Sequence, residues 1–172
     1  RRNLELCETL REKQKRGSLL WVLDKTKTAM GARMLRSFVE QPLIDRDEII
    51  KRLDAVGELK DNAICREEIR EYLTPVYDLE RLISKVTYQS ANPRDMIAFR
   101  SSLEMLPHIK CILGDLSAPL LTEMHDNLDT LGELCSLIQV SIQDEPPLAM
   151  KEGGIIKEGY NEMVDQLRNA KT

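Results

Sequence analysis

Residues 17–43 read GSLLWVLDKTKTAMGARMLRSFVEQPL, and this stretch decides how the fold of the whole chain is interpreted. A short apolar element over residues 18–23 is followed by a polar turn. Thr28 is a suitable N-cap for a helix that continues through Gln41. Pro42 disfavours the helical conformation at Gln41, so the helix ends there. The stretch therefore predicts an apolar element, a turn and a helix with a defined end.

The turn before this helix is rich in side-chain oxygens. Asp24, Thr26 and Thr28 offer three acceptors for the free amides of the turn and of the helix N-terminus. One carboxylate and two hydroxyls would make a poor metal site, so we expect a structural role. Trp21 lies in the apolar element and is the only tryptophan of the chain, which predicts that it anchors this element in the core.

The composition of the chain favours helix. A length of 172 residues suits one domain with a sizeable core, and we expect that domain to cover residues 1–172. Aromatic residues make up only 4% of the chain, whereas the helix formers Leu, Met and Glu are common. We therefore predict an all-α fold, an irregular multi-helix bundle of about seven or eight helices with negligible strand.

Local signals mark where the helices begin and end. Asp45 opens a variant of the capping box, and Asp78 can cap a short helix that follows it. Asn92 and Pro93 give the clearest start, an N-cap followed by proline at the first helical position. Gly159 indicates a turn before the last helix.

Two apolar stripes predict how the helices pack. The helix after Asp45 has a predicted buried stripe of Ile49, Leu53, Val56 and Leu59. Between residues 121 and 142 apolar residues recur at alternating steps of three and four, which is heptad spacing. This run is either one long helix or two helices divided at Asp126 and Asn127. The helix after Asn92 is kinked, or broken and restarted, at Pro107.

The sequence carries no recognisable catalytic motif. GxxxxGK[ST] does not occur, so nucleotide is not bound by that mechanism within this chain. The four cysteines are far apart with no CxxC pair, and both histidines are isolated, so neither zinc binding nor nucleophilic catalysis is supported. No apolar run approaches the length of a membrane span.

The positive charge is concentrated in the first 40 residues. They carry ten lysines and arginines against five acidic residues, in a chain whose net charge is −4. A solvated charged face is the favoured interpretation, and contact with phosphate is a secondary one. No aromatic residues alternate with the cations, so stacking on single-stranded nucleic acid is unsupported.

Four stretches of the chain resemble the core (lever) domain of the bacterial MutS family, the DNA mismatch-recognition ATPases. They follow the family's order and span nearly the whole chain. They are RNLEL at 2–6, LDKTKTAMGARML and QPL within 20–43, DLERL, NPRD and SLEMLP within 78–107, and GGIIKEGYNEMVDQLR at 153–168. The resemblance is weakest over residues 111–140.

The resemblance implies an α-helical lever that relays between DNA-clamping and nucleotide-binding domains. We expect the chain to be the first segment of the core, lacking the mismatch-reading, connector, clamp and ATPase domains. It would not be an enzyme, and it would hold no catalytic, cofactor-binding, metal or confidently assigned DNA-binding residue. ATP and Mg²⁺ would belong to the ATPase domain of the parent protein, which is expected to be a DNA-dependent ATPase.

The resemblance also implies the partners and the location. The partners are the connector, clamp and ATPase domains of the same polypeptide, and mismatched double-stranded DNA reached through the full protein. The parent is expected to be a homodimer in the bacterial cytoplasm, associated with the nucleoid through DNA and with no membrane.

A set of residues is expected to have structural or relay roles. Gly31 is expected to allow close approach of a helix, and Arg33 and Arg36 to bind acidic partners within the full protein. The whole set is Trp21, Asp24, Thr26, Thr28, Gly31, Arg33, Pro42, Asp78, Asn92, Pro93 and Gly159.

Two alternative interpretations stay open at the level of sequence. One is the core of a MutS-like paralogue that acts in recombination or on ribosomes. The other is a free-standing helical adaptor module. The stretches RRNLEL and ANPRD favour the mismatch-repair branch of the family.

Overall fold

The structure, a computed structural model, describes residues 4–170 and is predominantly helical in this range. The helices are α1 (Leu19–Leu23), α2 (Ala29–Glu40), α3 (Arg46–Asp61), α4 (Ala63–Leu73), α5 (Leu79–Thr87), α6 (Pro93–Leu103), α7 (Leu106–Gly114), α8 (Pro119–Asn127), α9 (Gly132–Ser141) and α10 (Glu162–Ala170). Strand-type pairing within residues 4–170 consists of one antiparallel bridge between Ile142 and Ile156. The predicted all-α fold is confirmed. Arg2 and Asn3, in the first of the resembling stretches, lie outside the described residues.

Residues 4–170 contain ten α-helices, where seven or eight were expected, because short and ambiguous elements became separate helices. The apolar element is itself the helix α1. The chain restarts as α7 with Pro107 in the first turn, where the missing N–H of proline has no intrahelical partner to lose. The apolar run of residues 121–142 is divided between α8 and α9, which is the second of the two alternatives. Helix α8 ends at Asn127 with Leu128 extended, and α9 begins at Gly132 after Leu131, whose φ is 50°.

The chain forms two compact units. The first extends to Asp78 and includes His108–Leu128, and therefore contains α1 to α4, most of α7, and α8. The second consists of Leu79–Pro107 and the chain from Asp129 onward, and therefore contains α5, α6, α9 and α10. Each unit has its own buried apolar residues.

In the first unit, α3 packs against both α4 and α8. Ala55 of α3 is buried, and its small side chain permits a close approach of α3 and α8. The Glu58 carboxylate accepts hydrogen bonds from the N–H of Ser117 (2.8 Å), its hydroxyl (2.9 Å) and the N–H of Ala118 (2.6 Å). The N–H groups of Ser117 and Ala118 lower the pKa of Glu58, and that of Ser117 has the larger effect. A side chain of α3 thus caps the N-terminus of α8.

The predicted buried stripe of α3 is wrong. Leu53 and Val56 are each 61% exposed, and Ile49 and Leu59 are only half-buried. The face toward α8 instead carries Lys51, Ala55 and Glu58, at steps of four and three, and the two charged side chains bond to α8 and to its N-terminus. Apolar periodicity predicted one helical face, whereas α8 covers the face that carries the buried Ala55, with the Lys51–Glu123 ion pair and the hydrogen bonds of Glu58 beside it.

The prediction that Trp21 anchors the core is also wrong. Trp21 is 48% exposed, whereas its neighbour Leu20 is only 3% exposed. Successive residues of an α-helix lie about 100° apart around its axis, so a short helix that turns Leu20 inward turns Trp21 away. Ser18 is buried and its Oγ accepts the N–H of Trp21 at 3.2 Å, which fixes this orientation.

In the second unit, α6 packs against α5 and α9. The buried centre consists of Leu82, Phe99, Leu103 and Ile138. Leu103 is the most deeply buried of them, at 1% exposed. Around this centre lie Leu79, Met96, Ala98, Leu106, Cys135 and Ile142.

We predict that Leu103→Ala lowers the free energy of unfolding by about 2–5 kcal/mol, because truncation of a buried leucine leaves a cavity. Leu167→Ala is the matched control, since Leu167 is 66% exposed on α10 and its truncation should change stability by less than about 0.5 kcal/mol. Urea unfolding followed by circular dichroism measures both. Equal effects of the two substitutions would contradict the assigned core.

Candidate functional site

A network of polar side chains holds the turn between α1 and α2. Asp24 forms an ion pair with Lys15. Its Oδ1 also accepts the N–H of Thr26 at 3.2 Å and the Thr26 hydroxyl at 2.6 Å. Thr28 Oγ1 accepts the N–H of Gly31 at 3.0 Å, which confirms Thr28 as the N-cap of α2. The side-chain oxygens of this turn are therefore bonded within the chain.

The network stabilises the negative charge of Asp24. The Lys15 ammonium and the Thr26 hydroxyl lower the pKa of Asp24 to about 2. The Asp24 side chain is 12% exposed, but that of Lys15 is 50% exposed, so solvent screens part of the attraction. Asp24 therefore remains a charged acceptor throughout the neutral pH range.

Gly31 leaves space for the turn itself. A Cβ at this position would lie 3.1 Å from Thr28 Oγ1 and 3.5 Å from Thr26 Cβ. The atoms of this chain that lie nearest to Gly31 belong to the preceding turn, and the expected role of Gly31 in close approach of a helix stays a prediction. Its missing side chain keeps the capping hydroxyl of Thr28 within reach of the Gly31 amide.

Two arginines extend the network to other parts of the first unit. Arg70 of α4 donates from Nη1 to the carbonyl oxygen of Lys25, at 3.2 Å. Arg33 of α2 donates from Nη1 and Nη2 to the two carboxylate oxygens of Asp78, both at 2.8 Å. The second contact is a bidentate ion pair, the strong geometry for an arginine and a carboxylate.

The acidic partners of Arg33 and Arg36 lie inside the chain. Arg33 binds Asp78, and the Nε of Arg36 binds Glu40 within α2 at 2.8 Å. Acidic partners within the full protein were expected for both arginines. The structure gives each one an acid of its own unit.

Of the eleven candidate residues, eight lie in the first unit and three in the second. Pro42 follows the C-cap of α2, so it lies at the other end of α2 from the α1–α2 turn. It lines an apolar groove with Phe38 and Leu53. Asn92 and Asp95 form a complete capping box, with bonds of 2.8 and 2.9 Å, and Pro93 follows as the buried first residue of α6.

Gly159 also has a local role in the second unit. Its φ of 82° lies in the left-handed region that favours glycine, and its N–H donates to Asp165 Oδ2 at 2.8 Å. Asn92, Pro93 and Gly159 therefore act at helix starts and turns of the second unit.

Two residues that bind the site could not be predicted from the sequence. Lys15 bonds to Asp24, 9 residues away, and Arg70 bonds to the carbonyl oxygen of Lys25, 45 residues away. No local pattern marks such residues, since lysine and arginine are also the ordinary residues of a solvated surface. Only the folded chain shows which charges have partners.

The described residues do not form a recognisable catalytic site. Burial raises the pKa of the Cys7 thiol and of the Cys135 thiol, so neither is activated as a nucleophile. Residues 4–170 contain no group of three or more His, Cys, Asp or Glu side chains placed to hold a metal ion. Over the same range, no helix combines the length and apolar character that a membrane span requires.

Comparison with known proteins identifies the family. The family model described as MutS domain III matches residues 1–170. The chain belongs to the MutS domain III family. It is 69% identical over 172 residues to the DNA mismatch repair protein MutS of Lachnoclostridium phytofermentans, which covers 100% of the chain and 18% of that relative. It is 56% identical over 170 residues to the protein of the same name from Ruminiclostridium cellulolyticum, covering 99% of the chain and 20% of the relative.

A third relative shows the same proportions. The MutS of Acetivibrio thermocellus is 55% identical over 170 residues, covering 99% of the chain and 20% of the relative. The chain thus spans about a fifth of the length of the curated relatives it matches. In this MutS domain III the charged side chains at the α1–α2 turn bind backbone groups and each other. They are Lys15, Asp24 and Arg70.

We predict that the contribution of Asp24 to the stability of this MutS domain III disappears in acid. The pKa of Asp24 falls from 3.8 to about 2 on folding, so its stabilisation is complete above pH ~4 and is lost as the pH falls toward ~2. After allowance for solvent screening, Asp24→Asn should cost about 1 kcal/mol at pH 7 and close to nothing at pH 2.

The control is Asp54→Asn, at an exposed carboxylate of α3. Urea unfolding of each variant at pH 7, 4 and 2 measures the difference from the unsubstituted chain. A cost of Asp24→Asn that does not change with pH would contradict the ion pair with Lys15.

Proposed function

We propose that this MutS domain III is a structural, allosteric lever of a DNA mismatch-recognition ATPase. It relays between the DNA-clamping and nucleotide-binding domains of its parent protein, which binds mismatched DNA and ATP in mismatch repair. One observation carries the proposal: the strong polar contacts are used to fix turns and helix ends. Bonds at Thr28, Asn92 and Glu58 hold three helix N-termini.

Such contacts suit the transmission of a displacement. A helix that is held at its ends has few soft degrees of freedom, and a force applied at one point moves the packed helices together. Membership of the MutS domain III family supports the same assignment, as does the name of the relatives, DNA mismatch repair protein MutS. That name favours the mismatch-repair branch over a paralogue acting in recombination or on ribosomes, and over a free-standing adaptor.

ATP and Mg²⁺ do not fit the residues of this chain. The sequence has no GxxxxGK[ST] motif, and the part of the chain that the structure describes has no cluster of metal-binding side chains. We place both in an ATPase domain of the parent, and the parent as a homodimer in the bacterial cytoplasm, on nucleoid DNA. The chain itself, residues 1–172, is proposed to be one core-domain segment without mismatch-reading, connector, clamp or ATPase parts.

We predict that the isolated chain hydrolyses no ATP and does not distinguish mismatched from paired DNA. The measurements are an ATPase assay and a gel mobility shift with matched duplexes at low and moderate salt. The parent protein is the positive control in both. Tight, mismatch-specific binding by the isolated chain would show that it has a recognition surface of its own.

The relay itself is tested in the parent protein carrying Leu103→Ala. Loosening the buried centre of α5, α6 and α9 should reduce the stimulation of ATPase activity by mismatched DNA about tenfold, for a loss of coupling of about 1.4 kcal/mol. ATPase activity without DNA should stay within about twofold, since the nucleotide site is untouched. Leu167→Ala is the control. Undiminished stimulation in a destabilised Leu103→Ala parent would show that the domain is only a spacer.

A further inference from the structure

The chain passes between the two units at three places. The passages lie between Asp78 and Leu79, between Pro107 and His108, and between Leu128 and Asp129. A loosely held backbone absorbs a displacement, whereas a restrained backbone transmits it from one unit to the next. The side chains that bond to the residues at the passages are therefore of interest for a relay.

The first passage is held by Arg33. Asp78 is the last residue of the first unit before it, and both of its carboxylate oxygens accept bonds of 2.8 Å from the Arg33 guanidinium. The Asp78 side chain is 22% exposed, so the pair is partly shielded from water. Two residues earlier, Val76 is buried and its N–H bonds to the carbonyl of Leu73. The segment before this passage is thus held at Val76 by a backbone bond and at Asp78 by the Arg33 side chain.

The second and third passages are joined by Lys110. Lys110 lies on α7, three residues after Pro107, and its Nζ donates to the carbonyl oxygen of Leu128 at 2.7 Å. Leu128 is the C-cap of α8 and the last residue before the third passage. One ammonium therefore ties the chain that has just entered the first unit to the chain that is about to leave it.

The segment after Leu128 differs in how it is held. Leu131 has a left-handed φ of 50°, and its N–H bonds to Asp129 Oδ1 at 2.9 Å. This bond lies within the loop and involves no other element. The fixed point at the third passage is accordingly Leu128, through Lys110.

We propose that Arg33 and Lys110 are the positioning residues of the lever, which fix the chain on the first unit at its passages into the second. They act through the backbone that they hold. The local part of this proposal, restraint of the chain at the passages, is independent of the relay. Their importance for coupling rests on the proposed function.

The chain offers a matched control for each residue. Arg36 lies on the same helix as Arg33 and forms an ion pair of equal length, but its partner Glu40 belongs to the same helix and to no passage. Lys60 is an exposed lysine on α3 of the same unit. Arg36→Gln and Lys60→Met therefore remove the same chemical groups as Arg33→Gln and Lys110→Met without releasing a passage.

Hydrogen exchange of the 172-residue chain tests the local part. Arg33→Gln should speed the exchange of amides in residues 76–80 about tenfold, and Lys110→Met should do so for residues 128–131, whereas both controls should leave these rates unchanged. Asp78→Asn should reproduce Arg33→Gln, and the double variant should add nothing further. The melting temperature of each variant separates local release from general unfolding. Unchanged exchange at the passages in folded variants overturns the proposal.

The parent protein tests the functional part. Arg33→Gln and Lys110→Met should each lower the stimulation of ATPase activity by mismatched DNA severalfold, with the rate without DNA and the melting temperature preserved. If Leu103→Ala abolishes the stimulation and these two variants leave it intact, the positioning role is overturned and the lever survives. If Leu103→Ala also leaves it intact, the lever function itself fails.

Discussion

Unpaired backbone groups at helix ends are the constraint on which this structure depends. A helix leaves four N–H and four C=O groups without intrahelical partners at its two ends, whatever its length. The helices here are short, between 5 and 16 residues, so a large share of their polar backbone lies at an end. This explains why so many charged and polar side chains are committed to the backbone. Thr28, Asp45, Asn62 and Asn92 cap from the adjoining sequence, whereas Glu58 and Lys110 reach across from other helices.

The local half of this pattern could be predicted from sequence. Thr28 and the pair Asn92–Pro93 were identified as helix starts because capping is decided by residues within one turn of each other. The class of fold followed from composition and periodicity in the same way. Helix breaks were harder. The run of residues 121–142 is periodic throughout and left one helix or two helices open, and in the structure residues 128–131 separate α8 from α9.

The non-local half could not be predicted. Trp21, Leu53 and Val56 were assigned to the core because they are large and apolar, yet all three are exposed. Burial of an apolar side chain is favourable on any face of a helix, so apolar character does not indicate which face a partner will cover. The pairing of Lys15 with Asp24 and of Arg33 with Asp78 could not be predicted for a related reason. The sequence indicates both acids as residues of a turn and of a helix start, but only the geometry of the folded chain shows which cation each one binds.

The pair of Arg33 and Asp78 differs from the contact of Lys110 in its directional character. Guanidinium and carboxylate are both planar, and two parallel bonds persist only while the planes stay nearly aligned. Twisting the chain at Asp78 therefore breaks one bond, and pulling it away breaks both together. An ammonium can turn about its own axis and keep a single bond to a carbonyl. The passage at Asp78 consequently resists torque as well as tension, whereas the bond from Lys110 to Leu128 resists tension alone.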